Sequence, residues 1–148
     1  MREILFRGKT EQHKWAYGYL VANAKWYVTG RPMTVLIPGD CVLYPPYEIE
    51  SYEEVIPETV GQFTGVTDKN GKKIFEGDII KHYTHVLVGK PEKFEVGLIR
   101  WNEKYLAWER TTPDKSEPLI GCVRISHTSV YEVIGNIHDN PELLENEQ

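Results

Sequence analysis

The side chains best suited to chemistry in this 148-residue chain are acids and histidines near its centre. Glu76 and Asp78 flank Gly77, and two carboxylates so spaced bind a metal or move a proton only with a third ligand or a dry pocket. The sequence supplies neither. His82 and His85 lie three residues apart, and on a strand such residues point to opposite faces and cannot share a metal. We therefore predict no metal site and no catalytic residue.

Nucleophilic and nucleotide chemistry also lack a motif. Cys122 and His127 are close in sequence, but a Cys–His dyad needs a third group that orients the histidine. The chain contains no GxxxxGK[ST] loop and no GxGxxG loop that would bind phosphates. We expect a non-enzymatic protein without cofactors, and an enzyme of unknown class is the remote alternative.

The same central segment is typical of tight turns. Asn70 and Gly71 tolerate the positive φ that the favoured hairpin turns require, and they separate two strand-like runs. Gly77 cheaply adopts a conformation that other residues avoid, and Asp78 is suited to hydrogen-bond a turn backbone. We interpret these four residues as structural turn residues.

Composition indicates a soluble globular protein. The apolar fraction is 41%, the charged fraction is 26% and the formal net charge is −5, which gives no global field to attract nucleic acid. Cys41 and Cys122 are far apart in sequence, which suits free thiols in a reducing compartment. Neither a signal peptide nor an apolar run of membrane-spanning length is present. We expect a cytoplasmic protein that makes no contact with a membrane.

Short apolar runs separated by Gly, Pro and Asn-Gly turns predict about eight to ten strands and an all-β fold. In the second half, a hairpin, an apolar strand that follows Gly77-Asp78 and a second hairpin after Trp101 favour an SH3-like small barrel. We place Trp101 and Trp108 in the core of that barrel, because large rings dominate small cores.

The domain boundary is predicted in the acidic stretch that follows Pro45-Pro46. We assign an N-terminal β-strand extension to residues 1–58 and the SH3-like barrel to residues 59–148. Asn140 as N-cap and Pro141 at the first helical position predict a short C-terminal helix within the second domain.

An aromatic run near the N-terminus is the best candidate for a protein contact. Trp15, Tyr17 and Tyr19 recur with period two in WAYGYLV, as on one face of a half-buried strand. Tyrosine and tryptophan are enriched at protein interfaces, and a strand-rich extension with unpaired edges can pair with a second subunit. We take these three residues as a candidate interface, with the alternative that the rings cover the barrel of the same chain.

Cations near the centre form a candidate nucleic-acid surface. Lys81, Arg100 and Lys104 lie among aromatic residues, and small β-barrels bind nucleic acid by pairing cations with phosphates and rings with bases. The alternative interpretation is that these cations solvate the strands.

Four segments together resemble a known family: the opening MREILFRG, the block QFTGVTDKNGKKIFEGDII, the later VGLIRW and the ending YEVIGNIHDNPELL. They are similar to the YopX-like proteins of phages and prophages of low-GC Gram-positive bacteria. The resemblance runs from end to end apart from residues 23–58. It implies a phage or prophage origin, an SH3-type barrel and a tendency to form oligomers. It brings no catalytic residues, because the family's activity is undefined.

We therefore expect a phage or prophage accessory protein in the cytoplasm of the bacterial host. Its predicted role is a non-enzymatic, self-associating binding module that also contacts a phage or host protein. The alternative is a small β-barrel that binds nucleic acid in phage replication or regulation.

Overall fold

The structure, a computed structural model, describes residues 3–25, 30–41, 43–44, 48–49, 51–85, 93–112 and 131–145. The strands within these residues are β1 (Phe6–Lys9), β2 (Trp15–Lys25), β3 (Pro32–Ile37), β4 (Leu43–Tyr44), β5 (Glu48–Ile49), β6 (Glu53–Glu54), β7 (Gly61–Thr67), β8 (Lys73–Phe75), β9 (Asp78–His85), β10 (Lys93–Asn102), β11 (Ala107–Thr111) and β12 (Tyr131–Asn136). The only helical elements described are two 3-10 turns, Pro57–Thr59 and Pro141–Leu144. The predicted all-β class is confirmed.

The chain divides into two compact units, Met1–Phe63 and Thr64–Gln148, called unit 1 and unit 2 below. Strand β7 begins in unit 1, where Gly61 pairs with Arg7, and continues into unit 2, where it lies beside β8. The predicted division into a β-strand extension, residues 1–58, and a barrel domain, residues 59–148, stays a prediction.

Unit 1 is built on an antiparallel sheet in the order β6-β3-β2-β1-β7. Strand β2 is central: its Gly18 pairs with Phe6 of β1, and its Leu20 pairs with Leu36 of β3. The hydrophobic core of unit 1 contains Ala16, Leu36 and Val55, with Phe6, Leu20 and Val60 packed against them.

Unit 2 is built on a four-stranded antiparallel sheet in the order β11-β10-β9-β12. Its core contains Ile74, Ile80, Ile99 and Tyr131, with Trp108 and Val133 packed against them. Trp101, which we expected in the core, is 39% exposed and meets Trp108 edge to face. Trp101 lies on β10 directly opposite Trp108. At this position the strand has passed the core, so the Trp101 ring is only partly covered.

The SH3-like barrel is not confirmed, because no closed barrel is found among the residues that the structure describes.

The predicted C-terminal helix is wrong: Pro141–Leu144 forms a 3-10 turn. Asn140 has φ −137° and ψ 50°, and its side chain makes no capping hydrogen bond. That side chain lies instead against Gly135, where a Cβ would come within 2.7 Å of the Asn140 Oδ1. A stretch of four residues also adds too few hydrogen bonds to offset the cost of nucleating an α-helix.

No helix in the described part of the chain combines the length and apolar character needed to cross a membrane.

Candidate functional site

The predicted turn around Asn70 and Gly71 is organised by a neighbouring acid, Asp68. Gly71 has φ +81°, and its amide donates to the Asp68 carbonyl. The buried Asp68 carboxylate accepts from the amides of Asn70 and Lys72 through Oδ1, at 2.8 and 2.9 Å, and from the Val133 amide through Oδ2, at 3.0 Å. Asp68 therefore fixes the hairpin and joins it to β12. The sequence signal that could have identified Asp68 is its position two residues before the Asn of an Asn-Gly turn.

Gly77 and Asp78 form a second turn in unit 2. Gly77 has φ +81°; its amide donates to the Ile99 carbonyl and its carbonyl accepts from the Ile137 amide. Asp78 is only 1% exposed, and its Oδ2 accepts from the Phe75 amide at 2.7 Å. An acid enclosed in this way serves the backbone of its own turn and is closed to a substrate.

The candidate interface lies on one face of β2, called the aromatic face and defined as Tyr17, Tyr19 and Val21. Tyr17 is 50% exposed and Tyr19 is 55% exposed, whereas the intervening Gly18 is buried. Gly18 is required there, because a Cβ would come within 2.2 Å of the Ile37 carbonyl oxygen. Because side chains alternate along a strand, these three point away from the core, whereas the other face of β2 packs into it.

Trp15 differs from the two tyrosines on the same strand. It is half-buried, and two cations of β1 lie over its indole: the Arg7 Cζ at 4.6 Å from the ring centroid and the Lys9 Nζ at 5.7 Å. Arg7 pairs in register with Tyr17, and Lys9 with Trp15. Cation–π contacts of this kind anchor the tryptophan within unit 1. The exposed part of the candidate interface therefore begins at Tyr17.

The three predicted nucleic-acid residues are not brought together. Lys81 and Arg100 share one face of the unit 2 sheet by register, whereas Lys104 lies in the turn between β10 and β11. The Arg100 Nε donates to the buried Glu109 carboxylate at 2.6 Å, and the Asn102 amide donates to the other oxygen of that carboxylate. Arg100 is thus committed to an acid partner within unit 2.

A second grouping on the Lys81 face was predicted only in part, through Lys81. We call it the Tyr83 cluster; its members are Lys69, Lys81, Tyr83, Phe94 and Glu132. The Lys69 Nζ lies 4.3 Å from the Tyr83 ring centroid and the Lys81 Nζ lies 4.5 Å from that of Phe94. The two rings meet edge to face with centroids 6.0 Å apart.

Glu132 lies at the centre of the Tyr83 cluster. It accepts a hydrogen bond from the Tyr83 hydroxyl and forms a 2.9 Å ion pair with Lys69. These contacts lower the pKa of Glu132, first through the Tyr83 hydrogen bond and then through Lys69, and they raise the pKa of Lys69. The hydrogen bond to Glu132 also raises the pKa of Tyr83, so the phenol keeps its proton and is a poor general base.

The opposite face of the unit 2 sheet holds a partly buried histidine. His82 packs on the Tyr131 ring with centroids 5.1 Å apart, and it pairs in register with Glu95, whose carboxylate binds Arg110 at 2.7 Å. The pKa of His82 is lowered, mainly by burial and then by the Arg110 charge, while Glu95 acts in the opposite direction. Its Nδ1 makes no hydrogen bond within the described residues. The environment favours a neutral ring.

A pocket of ≈ 360 Å³ opens on unit 1. Its lining residues are Asn23, Arg31, Pro32, Met33, Thr34, Glu54, Val55 and Pro57. Two parallel hydrogen bonds of 2.7 Å join the Arg31 guanidinium to the Glu54 carboxylate at the rim, and they lower the pKa of Glu54. Since these charges neutralise each other, the pocket offers no net charge to a ligand.

Two comparisons relate the chain to known proteins. A sequence model of the YopX family, described as YopX protein, matches residues 5–145. Among solved structures, the chain is similar to protein EF1440 from Enterococcus faecalis, with 25% sequence identity and a TM-score of 0.58, over 97% of this chain and 99% of that one. No curated protein matches the sequence.

Proposed function

This chain belongs to the YopX family, and we propose that it is a non-enzymatic binding module that self-associates through the aromatic face of β2. We place it in the cytoplasm of a bacterial host, as an accessory protein of a phage or prophage that also contacts a phage or host protein. The phage assignment is supported by the resemblance of the sequence motifs. An SH3-like arrangement of unit 2 belongs to the proposal, supported by the antiparallel order β11-β10-β9-β12.

The aromatic face is the observation that carries this proposal. Tyr17 and Tyr19 each leave about half of their surface exposed, and Val21 extends the same row. Strand β2 is paired with β1 on one side and β3 on the other. A partner therefore packs onto the side chains of β2 and does not extend the sheet at its edge, where we had expected strand pairing.

A second copy of the chain is the partner that suits this surface. Most soluble oligomers are built on two-fold contacts in which the same patch meets itself. The side chains of Tyr17, Tyr19 and Val21 are uncharged, and Arg7, which lies opposite Tyr17 on β1, is buried, so a two-fold contact brings little exposed like charge together. Tyrosine adds apolar area and a hydroxyl that can stay at a wet rim.

The non-enzymatic assignment is supported by how the acids are used. Asp68 and Asp78, one beside each of the two central turns, are buried and accept backbone amides. Carboxylates enclosed in this way are shielded from a substrate, so they are not placed to act as general acid or general base.

The test is the molar mass of the folded protein, measured by size-exclusion chromatography with light scattering. We expect the wild-type chain to exceed the monomer mass, and the Tyr17→Ala/Tyr19→Ala double variant to elute as a monomer with an unchanged circular dichroism spectrum. Tyr105→Ala is the matched control, because it removes a tyrosine of comparable exposure from unit 2. A monomeric wild-type protein at all concentrations, or a double variant that keeps the oligomer, contradicts the proposal.

A further inference from the structure

The Tyr83 cluster presents aromatic rings and cations side by side on one face of the unit 2 sheet. Tyr83 and Phe94 are direct partners across β9 and β10, and Lys81 is two residues from Tyr83 on the same strand. Phe94 is 44% exposed, which is high for a phenylalanine on a sheet. Register thus places both rings and Lys81 on the same face, and Lys69 reaches them from the hairpin turn.

The lysines occupy the positions that a nucleic acid would use. Each lies over a ring, and cation–π contacts at exposed sites are weaker than the stacking of a base on an aromatic side chain. A base that stacks on Phe94 or Tyr83 displaces the ammonium group, and the long lysine side chain can then reach the phosphate beside that base. In this exchange Lys81 gives up a cation–π contact, whereas Lys69 also gives up its hydrogen bond to the Tyr83 hydroxyl and its ion pair with Glu132.

The charge of the cluster is positive overall. Lys69 and Lys81 contribute two positive charges and Glu132 one negative charge, which leaves a net charge of one. Glu132 pairs in register with Lys81 and forms an ion pair with Lys69. It therefore orients the cations in the free protein and competes with a phosphate for them.

We propose that the Tyr83 cluster binds single-stranded nucleic acid, with bases stacked on Phe94 and Tyr83 and phosphates on Lys69 and Lys81. A single strand is favoured over a duplex because ring stacking requires unpaired, accessible bases. The inference goes beyond self-association and does not depend on it, because the cluster and the aromatic face belong to different units.

The residues of this proposed site differ from those predicted from the sequence. Arg100 is bound to the buried Glu109, and Lys104 lies in the β10–β11 turn, where its Nζ is 5.2 Å from the Tyr105 ring centroid. Of the three cations that the sequence indicated, only Lys81 belongs to the site.

The test is fluorescence anisotropy of a labelled oligothymidine of about twelve nucleotides, within the usual site size of small β-domains. We expect the oligonucleotide to bind at low salt. The logarithm of the association constant should fall with the logarithm of the salt concentration with a slope of about −1.4, because two lysines each release counterions from one phosphate. A duplex of the same length should bind more weakly. Phe94→Ala should weaken binding about tenfold, in keeping with the loss of one stacked base.

Three charge variants sharpen the test. Lys81→Glu should weaken binding strongly, whereas Lys104→Glu, which makes the same change of charge outside the cluster, should change it little. Glu132→Gln should strengthen binding several-fold, because it removes the carboxylate that competes for the lysines. The proposal is overturned if the oligonucleotide fails to bind at low salt, if Phe94→Ala has no effect, or if the two charge reversals weaken binding equally.

Discussion

The aromatic face of unit 1 and the Tyr83 cluster of unit 2 are both rows of rings on a sheet, but they differ in charge. Tyr17, Tyr19 and Val21 have exposed, uncharged side chains, and the cations beside them, Arg7 and Lys9, are buried against Trp15. In the Tyr83 cluster each ring has an ammonium group within 4.5 Å of its centroid. Neutral rings favour an apolar partner, and here a second copy of the chain, whereas rings beside cations favour a ligand with π-faces and phosphates.

The supporting glycines and acids differ as well. The aromatic face depends on close backbone packing at Gly18, and the Tyr83 cluster depends on a turn that Asp68 holds against β12. Changes at these two residues should therefore damage the two surfaces separately.

Gly18→Ala is expected to have the largest effect. Its Cβ would lie 2.2 Å from the Ile37 carbonyl oxygen, a backbone atom that cannot move without opening the β2–β3 pairing. We expect a loss of about 3 kcal/mol in the free energy of unfolding, as for severe overpacking. Urea denaturation followed by circular dichroism measures it.

Gly39→Ala is the matched control for this change. The nearest atom to its added Cβ, in the Tyr19 ring, is 3.8 Å away, an ordinary contact. The free energy of unfolding should stay within about 0.5 kcal/mol of the wild-type value. Equal stability of the two variants would show that Gly18 is not required for the aromatic face.

Asp68→Ala is expected to have the next largest effect. It leaves the amides of Asn70, Lys72 and Val133 without their acceptor, at a cost of about 2 kcal/mol in the free energy of unfolding. Asp68→Asn keeps one acceptor, the amide carbonyl oxygen, and should lose about half as much free energy of unfolding. If both variants lose the same amount, the negative charge matters more than the number of acceptors, and the explanation given for this joint is wrong.

The aromatic face could be found from the sequence because its residues are local. Alternation along a single strand places Tyr17 and Tyr19 on one face, and the same rule identifies Gly18 as a point of close approach. The turn at Asn70-Gly71 is equally local, since its φ requirement follows from the two residue types. Periodicity along one strand does not reveal the neighbouring cations, and for that reason the anchoring of Trp15 by Arg7 and Lys9 was not predicted.

The Tyr83 cluster could not be predicted because it is assembled from distant segments. Lys69 and Tyr83 are 14 residues apart and Tyr83 and Glu132 are 49 residues apart. Only the strand order brings β9, β10 and β12 side by side. The C-terminal helix prediction was wrong because Asn140 does not act as an N-cap, the segment is too short, and the 3-10 turn packs on Gly135.

A pH titration gives the smallest expected effect and concerns neither surface directly. His82 lies on the opposite face of the unit 2 sheet from Tyr83, near Glu95, Arg110 and Tyr131. Because its pKa is lowered in the folded protein, the unfolded chain binds the proton more readily. The contribution of His82 to stability is therefore complete above its ordinary pKa of about 6.5 and is lost as the pH falls through the lower, folded-state pKa.

Nuclear magnetic resonance titration of the His82 ring checks this direction. The midpoint in the folded protein should lie below the midpoint in urea, and Glu95→Gln should lower it further, because the carboxylate raises the pKa. A midpoint in the folded protein at or above the midpoint in urea contradicts the assignment of burial as the main cause.

The most direct test of the central claim is a dilution series followed by the ring proton signals of the tyrosines. Self-association through unit 1 predicts that the Tyr17 and Tyr19 signals shift with protein concentration, while those of Tyr83 and Phe94 stay constant. Concentration-dependent shifts confined to Tyr83 and Phe94, or signals that are independent of concentration throughout, would contradict the assignment of self-association to the aromatic face.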